Sequence, residues 1–387
     1  MATLVNLSPS AELSLVQILG ESLSSEAFIA DCTAHIAAAD APSLLGAFLA
    51  PAAVEGLFGL GDEDSVHAAV ALLASLVGRC PAAKQAEHAL ALVAAVVGHA
   101  AAPPALRLSL LVSVYNLRPK PEKHRLLLAV LAFAASSSLA ASLSAVYADP
   151  AAVISELALD GPQTRELHLA LAAAHEPASQ ASLTAWLRTF DGPGPLAMDA
   201  KELETAARAV KAALADPVGL FRSSENLTDM RAVAELKKSP ATAPLVTLLE
   251  VFVSGSLSDW QAFASSNAAL LAKESLDSDK CVESMRLLSL VSLASKNPEV
   301  PYSAVAETLQ VPLESVEGWV VQAVTAGLLV ARMDQARQVV AVERCVHRAF
   351  GEQEWKELKG RLDKAKENLR QVRENYVEQV AKQASKK

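Results

Sequence analysis

Apolar positions in this chain recur mostly at spacings of three and four, the period of helices that bury one face. Leu13, Val16, Ile18 and Leu19 open the first such stripe. Another, Ala68 to Val77, follows the acidic run Asp62-Glu63-Asp64-Ser65, which suits a helix N-cap. Pro81, Pro103-Pro104, Pro119, Pro121, Pro150, Pro162 and Pro177 punctuate the first half. Each stands where a helix can begin, because the first turn has no use for the missing N–H. The pattern predicts a stack of paired helices without a strict repeat. Asp191-Gly192-Pro193-Gly194-Pro195 breaks any helix and is expected to be an exposed turn and hinge. Helices are predicted again over Asp199–Ala215, where Asp199 and Glu202 have capping-box spacing, then over Asn226–Lys238 and Thr242–Val253.

The pattern changes after Asp279. Asp279–Ser295 reads as a helix with a stripe of Cys281, Met285, Leu288, Val291 and Leu293. A short helix is predicted over Pro301–Leu309, with Ser303 as its cap. A third begins at Pro312, runs through Val316, Val320, Ala323 and Val324, and ends at Gly327. Leu328–Met333 and Val339–Val342 flank the polar turn Asp334-Gln335-Ala336-Arg337, a hairpin signature. Three helices and a hairpin make a winged helix. From Glu352 to Gln383 one long helix is expected. Trp355, Leu358, Leu362, Ala365, Leu369, Val372 and Tyr376 form a heptad seam along it.

Composition narrows the fold class. Apolar residues are 52% and charged residues 20%, a globular balance. Aromatics are only 4%, and 16 glycines in 387 residues are few. Ala and Leu, both strong helix formers, carry the apolar fraction. This argues against sandwiches, barrels and glycine-lined nucleotide folds. The net charge of −9 is unevenly spread. From Gly351 onward there are ten Lys/Arg and seven Asp/Glu, a net of +3, so the body before it carries −12. The tail is a separate electrostatic unit.

Cys32, Cys80, Cys281 and Cys345 are too scattered for a disulfide framework, so a reducing compartment is expected. The opening residues lack a positive region before an apolar core, and no secretory leader is expected. Leu126–Val146 is the most membrane-like stretch. Its serines, Ser136-Ser137-Ser138 among them, and its many alanines favour a buried helix over a membrane span. The expected location is cytosolic or nuclear.

The sequence offers little catalytic chemistry. It has no phosphate-loop, dinucleotide, nucleophile-elbow or HExxH motif. Gly59-Leu60-Gly61 is followed by Asp62, Glu63 and Asp64, which would repel a phosphate. Cys345 and His347, even with Cys281 nearby, lack zinc-ligand spacing. The histidines are scattered, so neither metal nor cofactor is expected. The third winged-helix helix, Leu313 to Ala326, has no Lys or Arg and two Glu, which argues against reading DNA. The wing invites a partner instead. Val330, Arg332, Met333, Val339 and Val340 are candidates for an unpaired strand edge, with some of them facing the core by alternation. Trp355, Leu358, Leu362, Leu369 and Val372 are candidates on the tail, either folding back on their own domain or joining helices of other chains.

The last third resembles a known family. Asn267-Ala268-Ala269-Leu270-Leu271, Met285 to Val291, Thr308 to Val311, Val316 to Ala326, Met333-Asp334-Gln335 and Phe350 to Trp355 resemble the PCI module. That module is shared by the proteasome lid, the COP9 signalosome and translation initiation factor 3. The resemblance is strong over about Ser256–Trp355. The Ala-rich first half matches only in helical pattern. We therefore expect a mainly all-α fold: an irregular helical-repeat solenoid over residues 1–180, a PCI domain over 181–350 with its winged helix at 298–350, and a helical tail over 351–387. The resemblance implies a non-catalytic scaffold subunit of initiation factor 3, cytoplasmic and without cofactors. It implies neighbours among the other PCI subunits, A foremost, and the MPN subunits F and H. It further implies attachment through the complex to the 40S ribosomal subunit, in support of mRNA recruitment and pre-initiation complex formation. In this family winged helices line up side by side and C-terminal helices form a bundle. The alternatives are a subunit of the signalosome or proteasome lid, an all-helical enzyme, or a nucleic-acid reader.

Overall fold

The computed structural model describes residues 9–384 except 175, 195, 197, 222–225, 275 and 349–351. The chain divides into two compact units, Met1–Gly194 and Pro195–Lys387, at the Gly/Pro-rich turn. The first unit holds α1 (Pro9–Leu23), α2 (Glu26–Ala37), α3 (Ala41–Phe48), α4 (Pro51–Phe58), α5 (Glu63–Arg79), α6 (Ala82–Gly98), α7 (Pro104–Leu117), α8 (Lys120–Ser136), α9 (Ser144–Ala148), α10 (Pro150–Leu157), α11 (Gly161–Ala174) and α12 (Glu176–Arg188). From α5 to α8 each helix packs on the next and the next but one, as in a solenoid. α12 spans residue 180 and packs on α11, so it stays with the first unit.

The prolines start these helices. Pro104, Pro121 and Pro150 lie in first turns, and Pro81, Pro103 and Pro119 are N-caps. Asp62 caps α5 by accepting from the Ser65 amide at 3.0 Å. One core runs through α1 to α8, built from residues such as Leu19, Phe48, Leu73, Leu111 and Val114. Leu127, Leu131, Leu157, Leu167 and Leu171 join α8 to α10 and α11 in another. A polar clamp sits within this apolar stack. The buried Arg118 guanidinium donates to both Glu122 carboxylate oxygens at 2.8 Å and to the Ala74 carbonyl at 3.0 Å, tying the turn before α8 to α5. Glu12, also buried, pairs with Arg79 and ties α1 to α5. The membrane-like stretch is not one helix, because α8 ends at Ser136 and Ser138 adopts a left-handed φ of 56°. Among the described residues no single helix is long and apolar enough to cross a membrane.

The second unit begins with α13 (Ala200–Ala215), whose capping box of Asp199 and Glu202 is formed in both directions. It continues through α14 (Arg231–Lys238), α15 (Ala243–Ser254), α16 (Leu257–Ser266) and α17 (Ala268–Lys273). The predicted helix from Asn226 is split. Asn226 caps a short 3₁₀ turn, Leu227–Asp229, before α14 begins. α18 (Ser278–Lys296), β1 (Glu299–Pro301), α19 (Tyr302–Leu309), α20 (Val316–Thr325), β2 (Leu329–Asp334) and β3 (Val339–Cys345) form the winged helix, followed by α21 (Glu352–Ala384). Its core gathers Leu290, Val291, Val300, Val305, Leu309, Val316, Val320, Ala323 and Leu329. Gly327 has φ 74°, the left-handed conformation that ends the third helix. Pro301, not Ser303, stands at the N-cap of α19.

The sheet departs from the expected hairpin. Its order is β1-β3-β2, all antiparallel. β1 escapes a period-based reading because it has only three residues and ends in proline. Its pairing partner lies some forty residues away, with Val300 opposite Val340.

Candidate subunit interface

The third strand corrects two of the sequence candidates. β3 is the central strand, so Val339 and Val340 do not lie on an edge. Val339 pairs with Pro301 on one side and Asp334 on the other, and Val340 is 2% exposed. The outer strands are β1 and β2, and β2 is the one that belongs to the hairpin. Val330 and Met333 are exposed on it, at 40% and 38%. Arg332 is exposed and holds Glu343 of β3 at 2.6 Å. The β2–β3 register shifts between Val330 and Ala331. A bulge and a charged pair both discourage strand-to-strand pairing at an edge. The geometry therefore suits side-chain packing on this wing better than addition of another strand.

An adjoining apolar face was missed by the sequence reading. Val321 and Val324 of α20 are 51% and 41% exposed, and Leu313 in the preceding 3₁₀ turn is 44% exposed. The stripe 316, 320 and 323 buries as expected, whereas 321 and 324 lie on a second face of the same helix. In sequence the two faces merge into one apolar run, Val316, Val320, Ala323 and Val324, that does not separate them. The signal was available in Val321 and Val324, three residues apart and offset by one from the core positions.

This helix is fixed by polar ties. Glu317 accepts from the Tyr302 hydroxyl at 3.3 Å and from the Gln335 amide at 2.9 Å, joining α20 to α19 and the wing. Arg286 lies 5.6 Å from the centre of the Trp319 ring and donates to the Leu309 carbonyl at 3.1 Å. Glu317 thus serves the fold.

The junction behind the wing is pinned by Arg348. Its guanidinium donates to the carbonyls of Phe252 at 2.6 Å and Leu288 at 3.4 Å, and to the Ser292 hydroxyl at 3.0 Å. A cation suits the carbonyl-rich end of α15. Burial pulls its pKa down to about 10. Arg348 lines a cavity of about 540 Å³ together with Ser256, Ser289, Lys296 and His347. There its charge is committed to carbonyls.

Burial likewise raises the Cys281 thiol to about 11, with the Asp277 charge adding to it, so it stays protonated and a poor ligand or nucleophile. Cys345, where burial also raises the pKa, behaves alike. Among the described residues no three His, Cys, Asp or Glu side chains converge on a point that could hold a metal.

The tail carries the most exposed apolar surface. Trp355, Leu358, Leu362, Leu369, Val372 and Tyr376 are 61%, 37%, 61%, 71%, 64% and 68% exposed on α21. Their spacing of three and four puts them on one face of the helix. Of the two readings of this seam, folding back on its own domain does not cover it here. An apolar stripe of this length on a solvated helix is a candidate interaction face.

Helical layers leading into a winged helix and a long terminal helix define the class. Residues 264–344 match the PCI domain family, and the chain carries a PCI domain in its second unit. Among characterised proteins it is similar to eukaryotic translation initiation factor 3 subunit M. The protein of that name from Aspergillus terreus is 33% identical over 278 residues, 67% of this chain and 58% of the relative. That from Aspergillus fumigatus is 30% identical over 305 residues, 73% of this chain and 64% of the relative. That from Pyricularia oryzae is 31% identical over 187 residues, 47% of this chain and 42% of the relative. The matched region thus spans under two thirds of these relatives' lengths.

Proposed function

We propose that this protein is a non-catalytic scaffold subunit of eukaryotic translation initiation factor 3, acting in the cytoplasm. The observation that carries the reading is the exposed heptad seam of α21 beside an intact PCI winged helix, in a chain similar to proteins named subunit M. Leu362, Leu369 and Val372, with Trp355 and Leu358, are the proposed contacts to helices of other subunits. Val330, Arg332 and Met333 on the wing, together with Val321 and Val324, are the proposed contacts to a neighbouring winged helix. The proposed neighbours are other PCI subunits, A foremost, and the MPN subunits F and H. Binding to the 40S subunit follows through the complex, in support of mRNA recruitment.

Burying a leucine is worth about 2 kcal/mol, and an aspartate in its place adds the cost of a desolvated charge. The double variant L362D/L369D is therefore expected to release the chain from the complex while leaving both compact units folded. Affinity purification from cells, with circular dichroism of the isolated variant, reads both. A variant that stays fully assembled would exclude the tail as the docking element.

A further inference from the structure

The flanks of the seam specify what kind of helix can cover it. With Trp355, Leu362, Leu369 and Tyr376 at a and Leu358, Ala365 and Val372 at d, the e positions are Lys359, Lys366 and Arg373. All three are basic, seven residues apart, and exposed. None is in an ion pair with a described residue, whereas Arg370, on the outer face, is neutralised by Glu374 at 3.1 Å. Among the described residues the row beside the seam is left unquenched, as is Lys364 on the outer face. The opposite flank differs. Its g positions are Arg361, Asn368 and Asn375. Arg361 lines a cavity with Pro298, Arg344, Cys345 and His347, so the first turns of that flank face the chain's own winged helix. The basic row lies on the other flank of the seam.

Residues at e and g of one helix meet those of the helix packed against it, and their charges set partner choice. We propose that the helix covering this seam comes from a different polypeptide and presents a row of Asp or Glu, at seven-residue spacing, to Lys359, Lys366 and Arg373. The inference rests on the seam being the docking face and adds the chemistry of its occupant. A second copy of this chain fits poorly. An antiparallel pair sets the basic row against itself. A parallel pair sets Arg361 against Lys366, with Glu354 opposite Lys359 as the lone acid, so attraction and repulsion cancel. A nucleic-acid backbone would satisfy the cations and leave Leu362, Leu369 and Val372 uncovered.

The test titrates the full-length chain with three fluorescent probes: a heptad peptide with Leu at a and d and Glu at e and g, the same peptide with Lys at e and g, and an oligouridylate. The acidic peptide is expected to bind, more weakly as salt rises, and the basic peptide to fail. The variant K359E/K366E/R373E is expected to weaken the acidic peptide by roughly tenfold or more and to gain the basic one. Sedimentation of the unmixed chain is expected to show no self-association. Equal binding of both peptides, binding of neither, a preference unmoved by the charge reversal, self-association, or oligouridylate binding that survives L362D/L369D would each overturn the proposal. Assembly lost in L362D/L369D with no charge preference would refute the charge rule alone. Assembly retained in L362D/L369D would refute the docking face itself.

Discussion

His168 sets a pH dependence at the scale of one side chain. It is 7% exposed in α11, and its Nδ1 has no hydrogen-bond partner. Burial lowers its pKa below the usual 6.5. As pH falls through 6.5 the unfolded chain takes up a proton that the folded chain refuses until a lower pH, so stability falls with it. Replacing His168 with Leu removes that titration. Urea midpoints between pH 7 and pH 5 should therefore drop less in the variant than in the parent chain, and an equal drop would show that other groups govern the slope. The anchoring arginines are also matters of single residues, and they were not legible in the sequence. Arg118 reaches a carbonyl 44 positions earlier and Arg348 one 96 positions earlier. No local pattern marks a side chain whose partners are distant backbone oxygens. Asp199, Glu202 and Gly327 were legible, because their partners lie within one turn.

At the scale of elements, helices were readable and the sheet only in part. Capping signals and apolar period gave α13, α18 and α21 close to their observed bounds, whereas α5 begins before the predicted Ala68 and α20 begins after Pro312, behind a 3₁₀ turn at Leu313–Ser315. β1 was lost because its identity comes from pairing with β3, which is non-local. That same pairing moved Val339 and Val340 from the edge to the centre of the sheet. The tail helix has a built-in weak point. Gly360 lies on its outer face, away from the seam, and a Cβ there would meet nothing within 4 Å. Gly360→Ala should raise helix stability by about 0.5–1 kcal/mol through reduced backbone entropy in the unfolded state. Thermal denaturation followed by circular dichroism would check this, and assembly should be unaffected. A loss of assembly would mean that Gly360 lies within a contact.

For the whole molecule, composition divides by unit. The Ala- and Leu-rich chain with few aromatics spends its small side chains on close packing in the first unit, where Ala69, Ala74, Ala89 and Ala134 are buried between helices. The exposed seam and the apolar wing face lie in the second unit. The mild net charge of −9 is an average over an acidic body and a basic tail, and the tail's cations gather beside its apolar seam. Sequence pattern exposed the seam but not its solvent exposure, since a heptad stripe reads alike whether it folds back or stands free. Native mass spectrometry of the complex purified through this chain tests its proposed membership of initiation factor 3. An assembly containing this chain with other initiation factor 3 subunits, PCI and MPN among them, is expected. Recovery of the chain with proteasome-lid or signalosome subunits instead, or alone, would contradict it.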